Sequence, residues 1–263
     1  MNCKDFFNKY PVFTLDEFRL VFKKYKPVSV YDNLKYYLKK DKICSAKRGL
    51  YYVIPEGSFA SVFQPNKILL ASRQSKDAVI AFHSALEVMG YGHSFFHRFF
   101  YYSSFRRRKF SFRENEFVCV KIPENLKKKK AEAFGVEEEY YQNLPIKFTN
   151  RERTFVDCLD KPQFGGGIEE VYRCIEKYPY LNFEEVLKYL DALGKSKLYA
   201  KVGFFLEQHR EQFYVEEDLL KKLRKNKPTS IVYFDSQRKS GKLIENWNLV
   251  VPEIIIEKGW EEF

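Results

Sequence analysis

Polar side chains that can hydrogen-bond with a nucleic acid recur along residues 29–39. They carry a hydroxyl, a phenol, an amide and two ammonium groups, at Ser29, Tyr31, Asn33, Lys35 and Lys39. Groups of these types pair with base edges in the major groove of DNA, and lysine also pairs with phosphate. We assign the first four to base edges and the last to the DNA backbone. For Tyr31 and Asn33, a packing or solvent-facing role fits equally well.

A second candidate site is the basic segment Lys47-Arg48-Gly49. Ile43 precedes it, and Leu50, Tyr52 and Ile54 follow it at alternate positions. This pattern predicts a two-stranded hairpin with a basic tip. Cationic side chains at such a tip bind phosphate without recognising the base sequence. We therefore assign both Lys47 and Arg48 to the DNA backbone.

Catalysis is the competing interpretation. A metal-dependent nuclease or nucleotidyltransferase needs two or three carboxylates that converge on one site. The dense candidates are Glu137-Glu138-Glu139, Asp157 and Asp160, and their spacing matches no such motif. The histidines lack an obvious nucleophile partner in the sequence. They are His83, His93, His97 and His209. We predict that the protein is not an enzyme and has no catalytic residue.

The cysteines indicate neither a disulfide framework nor a zinc site. They form an odd set without a close pair or a C-x-x-C spacing. Their positions are Cys3, Cys44, Cys119, Cys158 and Cys174. We expect buried, reduced thiols, and neither a metal nor another cofactor.

Two helices and the hairpin would position the basic sites. Thr14 with Glu17, and Ser29 with Asp32, have the spacing of capping boxes at helix starts. Apolar residues follow each box at helical spacing. Together with the hairpin, they predict a winged helix-turn-helix domain over residues 1–58, whose second helix enters the major groove. The short connection between the two helices leaves little room for a third one, so we expect an abbreviated form.

Positive charge is concentrated in two segments of the chain. Residues 1–55 hold twelve lysines and arginines against five acidic residues, and residues 98–130 hold eleven against three. Because the formal net charge of the whole chain is +11, the remainder is slightly acidic. This placement indicates a basic face for a nucleic acid, although lysine-rich surfaces also serve solubility alone.

The second basic segment is a candidate for additional nucleic-acid contacts. Its two basic runs sit at a predicted turn or helix start, where they could bind phosphate. They consist of Arg106, Arg107, Arg108, Lys109, Lys127, Lys128, Lys129 and Lys130. Phe99, Tyr101 and Tyr102 could stack on unpaired bases, but aromatic residues that alternate in a strand more often belong to a core. An RNA-binding regulator is therefore the alternative to a duplex-binding one.

The middle of the chain predicts mixed helix and strand. Breakers mark a linker near residues 55–75, and an apolar stripe predicts a helix over Lys76–Met89. Aromatic residues alternate with polar ones between residues 95 and 122, which predicts antiparallel strands.

The final part of the chain is predicted to be helical. The helices cover residues 151–160, 168–177, 183–193, 198–207 and 216–224. The glycines at 165–167 form a turn rather than a phosphate loop, because no apolar strand leads into them. The fold class is thus α+β, with the winged helix followed by a larger mixed domain over residues 70–263. This larger domain could comprise two lobes, 70–150 and 151–263.

Length and composition limit the cellular setting. With 263 residues, 45% of them hydrophobic, the chain can bury a further core beside the winged helix. No stretch approaches the ~20 apolar residues of a membrane span. The first residues lack the apolar core of a signal peptide. We expect a cytoplasmic protein without a membrane partner.

The order of several segments resembles one known family. The segments are Arg48–Val53, Ala78–Leu86, Arg153–Asp160 leading to Gly166–Val171, and Trp247–Pro252. In this order they resemble the AbiEi family, the antitoxins and transcriptional regulators of abortive-infection, type IV toxin-antitoxin systems. The resemblance covers nearly the whole chain and is most specific from Arg153 to Val171. The residues that carry this motif are Arg153, Thr154, Asp157, Gly166, Gly167 and Glu170.

The resemblance implies a bacterial or archaeal protein that represses its own operon. Its N-terminal domain would bind operator repeats in double-stranded DNA. Its C-terminal domain would oppose a toxin of the nucleotidyltransferase type, without forming a stable complex with it. From the residues themselves, we interpret the segment 151–160 as a helix start with internal ion pairs, in which Arg153 or Asp157 anchors the domain.

Overall fold

The computed structural model describes residues 2–105, 109–234 and 240–258. Over these residues the chain forms twelve α-helices and twelve β-strands, and the strands make three sheets. The expected α+β class is confirmed. None of the helices in these ranges is long and apolar enough to cross a bilayer. Three of the predicted phosphate contacts, Arg106, Arg107 and Arg108, lie outside the described residues.

The N-terminal part consists of three helices and a three-stranded sheet. In chain order these are α1 (Cys3–Lys9), β1 (Val12–Thr14), α2 (Leu15–Val21), α3 (Pro27–Lys39), β2 (Ile43–Lys47) and β3 (Leu50–Val53). Strand β3 lies between β1 and β2 and is antiparallel to both. The helices pack on one largely aromatic core, formed by Phe6, Phe7, Phe13, Phe18, Phe22, Val30, Leu34 and Ile43.

The Thr14 capping box is confirmed, and the Ser29 box is wrong. The backbone N–H of Thr14 donates to Oε2 of Glu17 at 2.6 Å, and that of Glu17 donates to Oγ1 of Thr14 at 3.2 Å. Helix α3 instead begins at Pro27, and its N-cap residue, Lys26, makes no side-chain cap. A proline at the first helical position needs no partner for a backbone N–H, so the helix starts two residues before the predicted serine cap.

The expectation of an abbreviated N-terminal domain is also wrong. The additional helix does not lie between α2 and α3 but precedes both, as α1. Asn2 and Asp5 form a reciprocal capping box at its start. That pair was present in the sequence as the same three-residue spacing.

A six-stranded sheet forms the centre of the chain. Its strands are β4 (Val79–Ile80), β5 (Arg98–Ser103), β6 (Phe110–Phe112), β7 (Asn115–Lys121), β8 (Val136–Tyr141) and β9 (Leu144–Thr149), in the spatial order β6-β7-β5-β4-β9-β8. The prediction of antiparallel strands holds for β6 with β7 but is wrong for β5 with β7, which are parallel. Strand β6 lies between β5 and β7 in the chain and runs antiparallel to β7, which lets β5 and β7 run in the same direction.

The predicted helix over 76–89 and the predicted linker over 55–75 are both partly wrong. Val79 and Ile80 pair with β5, and a turn at Phe82 with a φ of 56° separates them from α5 (His83–Val88). A short apolar run fits strand and helix periods alike, so periodicity could not distinguish them. The end of the linker forms a buried helix, α4 (Lys67–Ser72), which Asn66 caps.

The predicted C-terminal helices are confirmed within a few residues. After α6 (Glu124–Lys128), they are α7 (Arg151–Asp160), α8 (Ile168–Ile175), α9 (Phe183–Leu193), α10 (Ser196–Gln208) and α11 (Glu217–Lys225). Gly194 ends α9 with a φ of 61°, as expected of a helix-terminating glycine. A small sheet was not predicted. It contains β10 (Val232–Tyr233), β12 (Leu249–Val251) and β11 (Lys242–Ile244), and α12 (Glu253–Ile256) follows it.

Tertiary contacts divide the chain into two compact units. The first contains residues 1–80, 97–121 and 138–148, and the second contains residues 81–96, 122–137 and 149–263. This division differs from the predicted boundaries at residues 58, 70 and 150. Within the first unit, residues 1–58 pack against the central sheet, since the ring of Tyr52 contacts that of Phe112. They therefore do not form a separate compact body.

Candidate nucleic-acid interface

The exposed side of α3 carries all the side chains assigned to this helix. Val30 and Leu34 are buried and fix the helix on the aromatic core. The predicted contacts all point away from that core, at Ser29, Tyr31, Asn33, Lys35 and Lys39. Residues four apart share a helix face. One row is therefore formed by Tyr31, Lys35 and Lys39, and a neighbouring row by Ser29 and Asn33.

Tyr31 has a partner that the sequence did not indicate. The guanidinium carbon of Arg19, on α2, lies 4.8 Å from the centre of the Tyr31 ring. Such a cation–π contact limits the conformations open to both side chains. Arg19 is thereby brought beside the exposed row on α3.

The turn before α3 is a basic feature that the sequence interpretation missed. Lys23, Lys24 and Lys26 are all exposed there, directly before the helix. The run Lys-Lys-Tyr-Lys was a sufficient signal in the sequence, because clustered lysines at a helix start commonly meet phosphate.

The hairpin is formed as predicted, but its two cations, Lys47 and Arg48, differ in their exposure and in their contacts. Arg48 is exposed in the turn between β2 and β3. Lys47 is the last residue of β2, and its Nζ donates to Oε1 of Gln74 at 2.5 Å. The same ammonium lies 4.9 Å from the centre of the Phe110 ring. A direct phosphate contact is thus open to Arg48, whereas Lys47 would first have to leave these partners.

An open cleft of about 1200 Å³ borders the hairpin and the start of α2. Arg73 and Lys76 line it, and so do Asp16 and Glu17. Each acidic residue is paired, because Nζ of Lys76 lies 3.0 Å from Asp16 and Nε of Arg73 lies 3.4 Å from Glu17. Burial lowers the pKa of Arg73, and Glu17 opposes that effect. These pairs reduce the negative potential beside the hairpin.

The described cations of the second basic segment, at residues 98, 109, 113, 121 and 127–130, do not all remain available to a ligand. Lys109 and Arg98 pair with Glu116. Lys127 and Lys128 lie in the last turn of α6, with Lys129 and Lys130 following, rather than at a helix start. Cations at a helix C-terminus interact favourably with the helix dipole, which gives this run a structural role. Phe99, Tyr101 and Tyr102 are buried, so stacking on bases is excluded for them.

The motif at the start of α7 is a buried polar network. Nη1 of Arg153 donates to the carbonyl oxygens of Glu132 and Phe134, at 2.8 and 2.7 Å. Its Nε lies 3.5 Å from Asp157, which accepts a hydrogen bond of 2.8 Å from Tyr189. Burial, followed by the charge of Asp157, raises the pKa of Tyr189. These buried contacts are what an anchoring role of Arg153 or Asp157 requires, and that role stays a prediction.

The other motif residues have equally specific contacts. Oγ1 of Thr154 lies 2.9 Å from the carbonyl oxygen of Thr149 and donates to it. Gly166 and Gly167 have φ values of 93° and 104°, which are strained for any residue with a side chain. A Cβ atom on Gly166 would lie 2.8 Å from both Glu170 and Phe96. The glycine turn therefore admits a close approach between the segment around Phe96 and α8.

Glu170 leads to a buried cluster that sequence reasoning missed. Nε2 of His83 lies 3.0 Å from Oε1 of Glu170, and Sγ of Cys174 donates to the same oxygen at 3.2 Å. Ser94 contributes its N–H at 2.8 Å and its hydroxyl at 2.7 Å. The histidine and the cysteine were therefore wrongly considered isolated. They are 91 positions apart, and only the i, i+4 spacing of Glu170 and Cys174 was visible in the sequence.

Hydrogen bonding outweighs burial in this cluster and favours a charged pair. Burial would lower the pKa of His83, but hydrogen bonds with Cys174, Glu170 and Glu87 outweigh it and raise that pKa to about 10. Burial would raise the pKa of Glu170, but hydrogen bonds from His83 and Ser94 lower it well below its usual range. The pKa of the Cys174 thiol is raised, chiefly by burial.

Three of the carboxylates considered for catalysis are engaged with basic side chains. Asp157 belongs to the Arg153 network, Asp160 lies 2.7 Å from Lys195, and Glu138 lies 3.6 Å from Lys147. Within residues 2–105, 109–234 and 240–258, the one group of three potential metal ligands is His83, Glu170 and Cys174. A two-carboxylate metal centre is not formed by the residues proposed for it.

Comparison with known proteins gives a structural relative. The chain is similar to the crystal structure of the Rv2827c protein from Mycobacterium tuberculosis, with a TM-score of 0.61 and 13% sequence identity. The similarity covers 96% of this chain and 90% of that one. No family model and no curated protein matches the sequence. At this identity the likeness concerns the fold alone.

Proposed function

We propose that the protein is a transcription regulator that binds double-stranded DNA through a winged helix formed by residues 2–54. The observation that carries this proposal is the element order α1-β1-α2-α3-β2-β3 with the sheet order β1-β3-β2. A winged helix has the same order of elements, and on this proposal α3 would be the recognition helix and the β2–β3 hairpin the wing. The recognition helix of such a domain lies in the major groove.

Charge and exposure on this part of the first unit support the proposal. Lys35 and Lys39 stand on the solvent side of α3, Lys23 and Lys24 precede it, and Arg48 occupies the wing. Lysines and arginines placed around a groove-binding helix supply the phosphate contacts that fix its register. Ser29 and Asn33 are short side chains near the helix start, where base edges are usually met.

The acidic residues near this surface are compatible with the proposed binding of DNA. Glu17 caps α2 through the backbone N–H of Thr14 and also pairs with Arg73. Asp16 pairs with Lys76. Asp32 is the exposed carboxylate on α3 itself, and a carboxylate in the major groove can accept a hydrogen bond from cytosine N4. We therefore assign Asp32 as a further determinant of sequence preference.

We extend the proposal to the whole chain through its resemblance to the AbiEi family. The protein would repress its own operon by binding operator repeats, and it would act as the antitoxin of a type IV toxin-antitoxin system. The opposing toxin would be of the nucleotidyltransferase type, and no stable complex with it is expected. The buried networks around Arg153 and Glu170 would then hold the antitoxin unit in shape rather than perform catalysis.

The first test is a titration of the full chain with the duplex upstream of its own gene. Scrambled duplex and single-stranded RNA serve as competitors, at two salt concentrations. Preference for the upstream duplex is the expected result. Equal, strongly salt-dependent binding to every nucleic acid would overturn sequence-specific regulation. Preference for RNA would favour the regulator class that uses single strands.

A second test addresses the antitoxin role separately. The chain is co-expressed with the toxin encoded beside it, and growth is compared with that of cells carrying the toxin alone. Restored growth is the expected result, and an Arg48→Ala variant should restore it equally when expression is driven by a foreign promoter. Failure of the wild-type chain to restore growth would overturn the antitoxin role without affecting the DNA-binding one.

A further inference from the structure

The buried cluster around His83 has the composition of a metal site. His83 is the first residue of α5, and Glu170 and Cys174 lie one turn apart on α8. All three side chains are buried, and their nitrogen, oxygen and sulfur atoms lie within 4.8 Å of one another. An imidazole, a carboxylate and a thiolate together form a donor set that zinc accepts.

Helix geometry explains how two of these ligands come together. Residues four apart project from the same face of a helix, so Glu170 and Cys174 point in one direction from α8. The distances from Oε1 of Glu170 to His83 Nε2 and Cys174 Sγ are 3.0 and 3.2 Å. Because zinc lies about 2.0 Å from nitrogen and about 2.3 Å from sulfur, the ligands would separate by only a few tenths of an ångström around the ion.

The surroundings of the three groups resemble the outer shell of a metal site. Histidine ligands usually present their second ring nitrogen to a carboxylate. Nδ1 of His83 faces Oε1 of Glu87 at 3.4 Å, across one turn of α5. Oε2 of Glu170 accepts a hydrogen bond of 2.7 Å from Ser94, and Oε1 accepts from the N–H groups of His93 and Ser94. The ligand orientations are thus set before an ion arrives.

Charge balance does not oppose metal binding at this buried position. Metal ligands must be deprotonated, so zinc would be held by a neutral imidazole, a carboxylate and a thiolate. The two negative charges of Glu170 and Cys174 would then balance the two positive charges of the ion.

We propose that His83, Glu170 and Cys174 bind one zinc ion in the second unit. Its fourth position goes to Oε2 of Glu170 or to a water molecule. The ion would fasten α5 and the segment leading to Ser94 onto α8. Gly166 makes this approach possible, because a Cβ atom there would lie 2.8 Å from Glu170 and from Phe96. This site is separate from the proposed DNA-binding function.

Cobalt substitution of the full chain is the direct test. The protein is stripped with a chelator, loaded with Co²⁺ or Zn²⁺ and passed through a desalting column, and its metal content and absorption spectrum are measured. The expected result is one metal per chain, with a thiolate-to-cobalt charge-transfer band in the near ultraviolet. The proposal would be overturned if the wild-type chain, after loading and desalting, retained no metal, or if it bound cobalt without that band.

Matched variants identify the ligands. Cys174→Ser should lose the charge-transfer band, whereas Cys158→Ala, which alters a buried thiol outside the cluster, should keep it. Glu87→Gln leaves the three ligands intact and should weaken zinc binding by roughly 10- to 100-fold, as is usual for an outer-shell change. Equal zinc content in the Cys174→Ser and Cys158→Ala chains would mean adventitious metal only and would overturn the site.

Discussion

Nζ of Lys47 donates to Oε1 of Gln74 across 2.5 Å. Because this bond engages Lys47 within the protein, we expect Lys47 and Arg48, the two cations of the β2–β3 hairpin, to have different roles. Arg48 is exposed in the adjacent turn. Replacing Arg48 with Ala should reduce the slope of log affinity against log salt by roughly 0.9 for each lost phosphate contact. Replacing Lys47 with Ala should leave that slope nearly unchanged and lower stability by about 1 kcal/mol, the usual value of one hydrogen bond.

Anisotropy titrations at several salt concentrations, with melting curves for both variants, measure the two effects. Lys128→Ala is the control, since it removes an exposed lysine from the end of α6. If the Arg48 variant bound every duplex as the wild type does, the hairpin would not be a wing.

Lys35 should contribute to sequence preference rather than to general affinity. It stands on the exposed face of α3, between Tyr31 and Lys39. Since a good base contact discriminates by about 1–3 kcal/mol, Lys35→Ala should narrow the affinity gap between operator and scrambled duplex by roughly 5- to 150-fold. A selection of bound sequences from a random pool would measure this. An unchanged preference would assign Lys35 to the backbone.

The free energy of unfolding should be especially sensitive to substitution of Arg153. Arg153→Met would leave Asp157 as a buried carboxylate beside Tyr189, and would remove the two hydrogen bonds to Glu132 and Phe134. Breaking a buried pair by removing one partner costs about 3–5 kcal/mol. Urea unfolding should reveal that loss. Lys188→Ala, which breaks an exposed pair with Glu184, should leave the free energy of unfolding nearly unchanged. An equal loss in both variants would contradict the assignment.

Asp77 should make the first unit sensitive to acid. Burial would raise the pKa of its carboxyl, but hydrogen bonds from Ser103, Ser75 and Ser104 outweigh burial and lower that pKa below its ordinary value of 3.8. Because the folded-state pKa is the lower one, the contribution of Asp77 to stability is complete above pH 3.8 and is lost as the pH falls below it.

Unfolding of the wild type and of Asp77→Asn, followed over a range of pH, tests this sign. The two free energies of unfolding should differ at neutral pH and converge in acid. A gap that grows as the pH falls would show that the carboxylate is not the stabilised form.

Gly203 should not tolerate even one added methyl group. It lies within α10, and a Cβ atom there would meet the Trp247 ring at 2.2 Å. Trp247 is held in place by a hydrogen bond of 2.6 Å from its Nε1 to Glu207. Although alanine is the better helix former, Gly203→Ala should destabilise by about 1–3 kcal/mol because of overpacking. Gly92→Ala is the control, because its Cβ would lie 3.3 Å from the flexible Glu87 side chain and at ordinary contact distances, 3.6 and 3.8 Å, from the Glu87 backbone. Thermal melts of the two variants should differ clearly, and equal melting temperatures would contradict the packing argument.

Local signals in the sequence were sufficient for the C-terminal helices and the β2–β3 hairpin but not for the central sheet. The Thr14 capping box and the Gly194 stop specify their helix ends through neighbours within a few residues. The pairing of β5 with β7, in contrast, depends on where β6 turns back. Val79 and Ile80 fit both the helical and the strand periodicity of apolar residues. That they form a strand therefore depends on their partners in the sheet rather than on their own pattern.

In the candidate sites too, the features that depend on local sequence were predictable and the long-range contacts were not. Exposure on α3 follows from helical periodicity, and the positions of Ser29 and Lys35 were predictable from it. The engagement of Lys47 with Gln74 spans 27 residues, and that of His83 with Glu170 spans 87. Neither pair has a spacing that a sequence motif could encode. The contact between His83 and Glu170 becomes visible only when the glycine turn at Gly166 and the approach of Phe96 to it are known.

The chain passes between its two compact units five times, at residues 80–81, 96–97, 121–122, 137–138 and 148–149. No single cut in the gene therefore yields either unit whole. A fragment ending at residue 58 would expose the Tyr52 ring that otherwise meets Phe112. The elements that we propose to bind DNA could not be exchanged between relatives by one recombination event. Any chimera that transfers them should also carry residues 97–121 and 138–148.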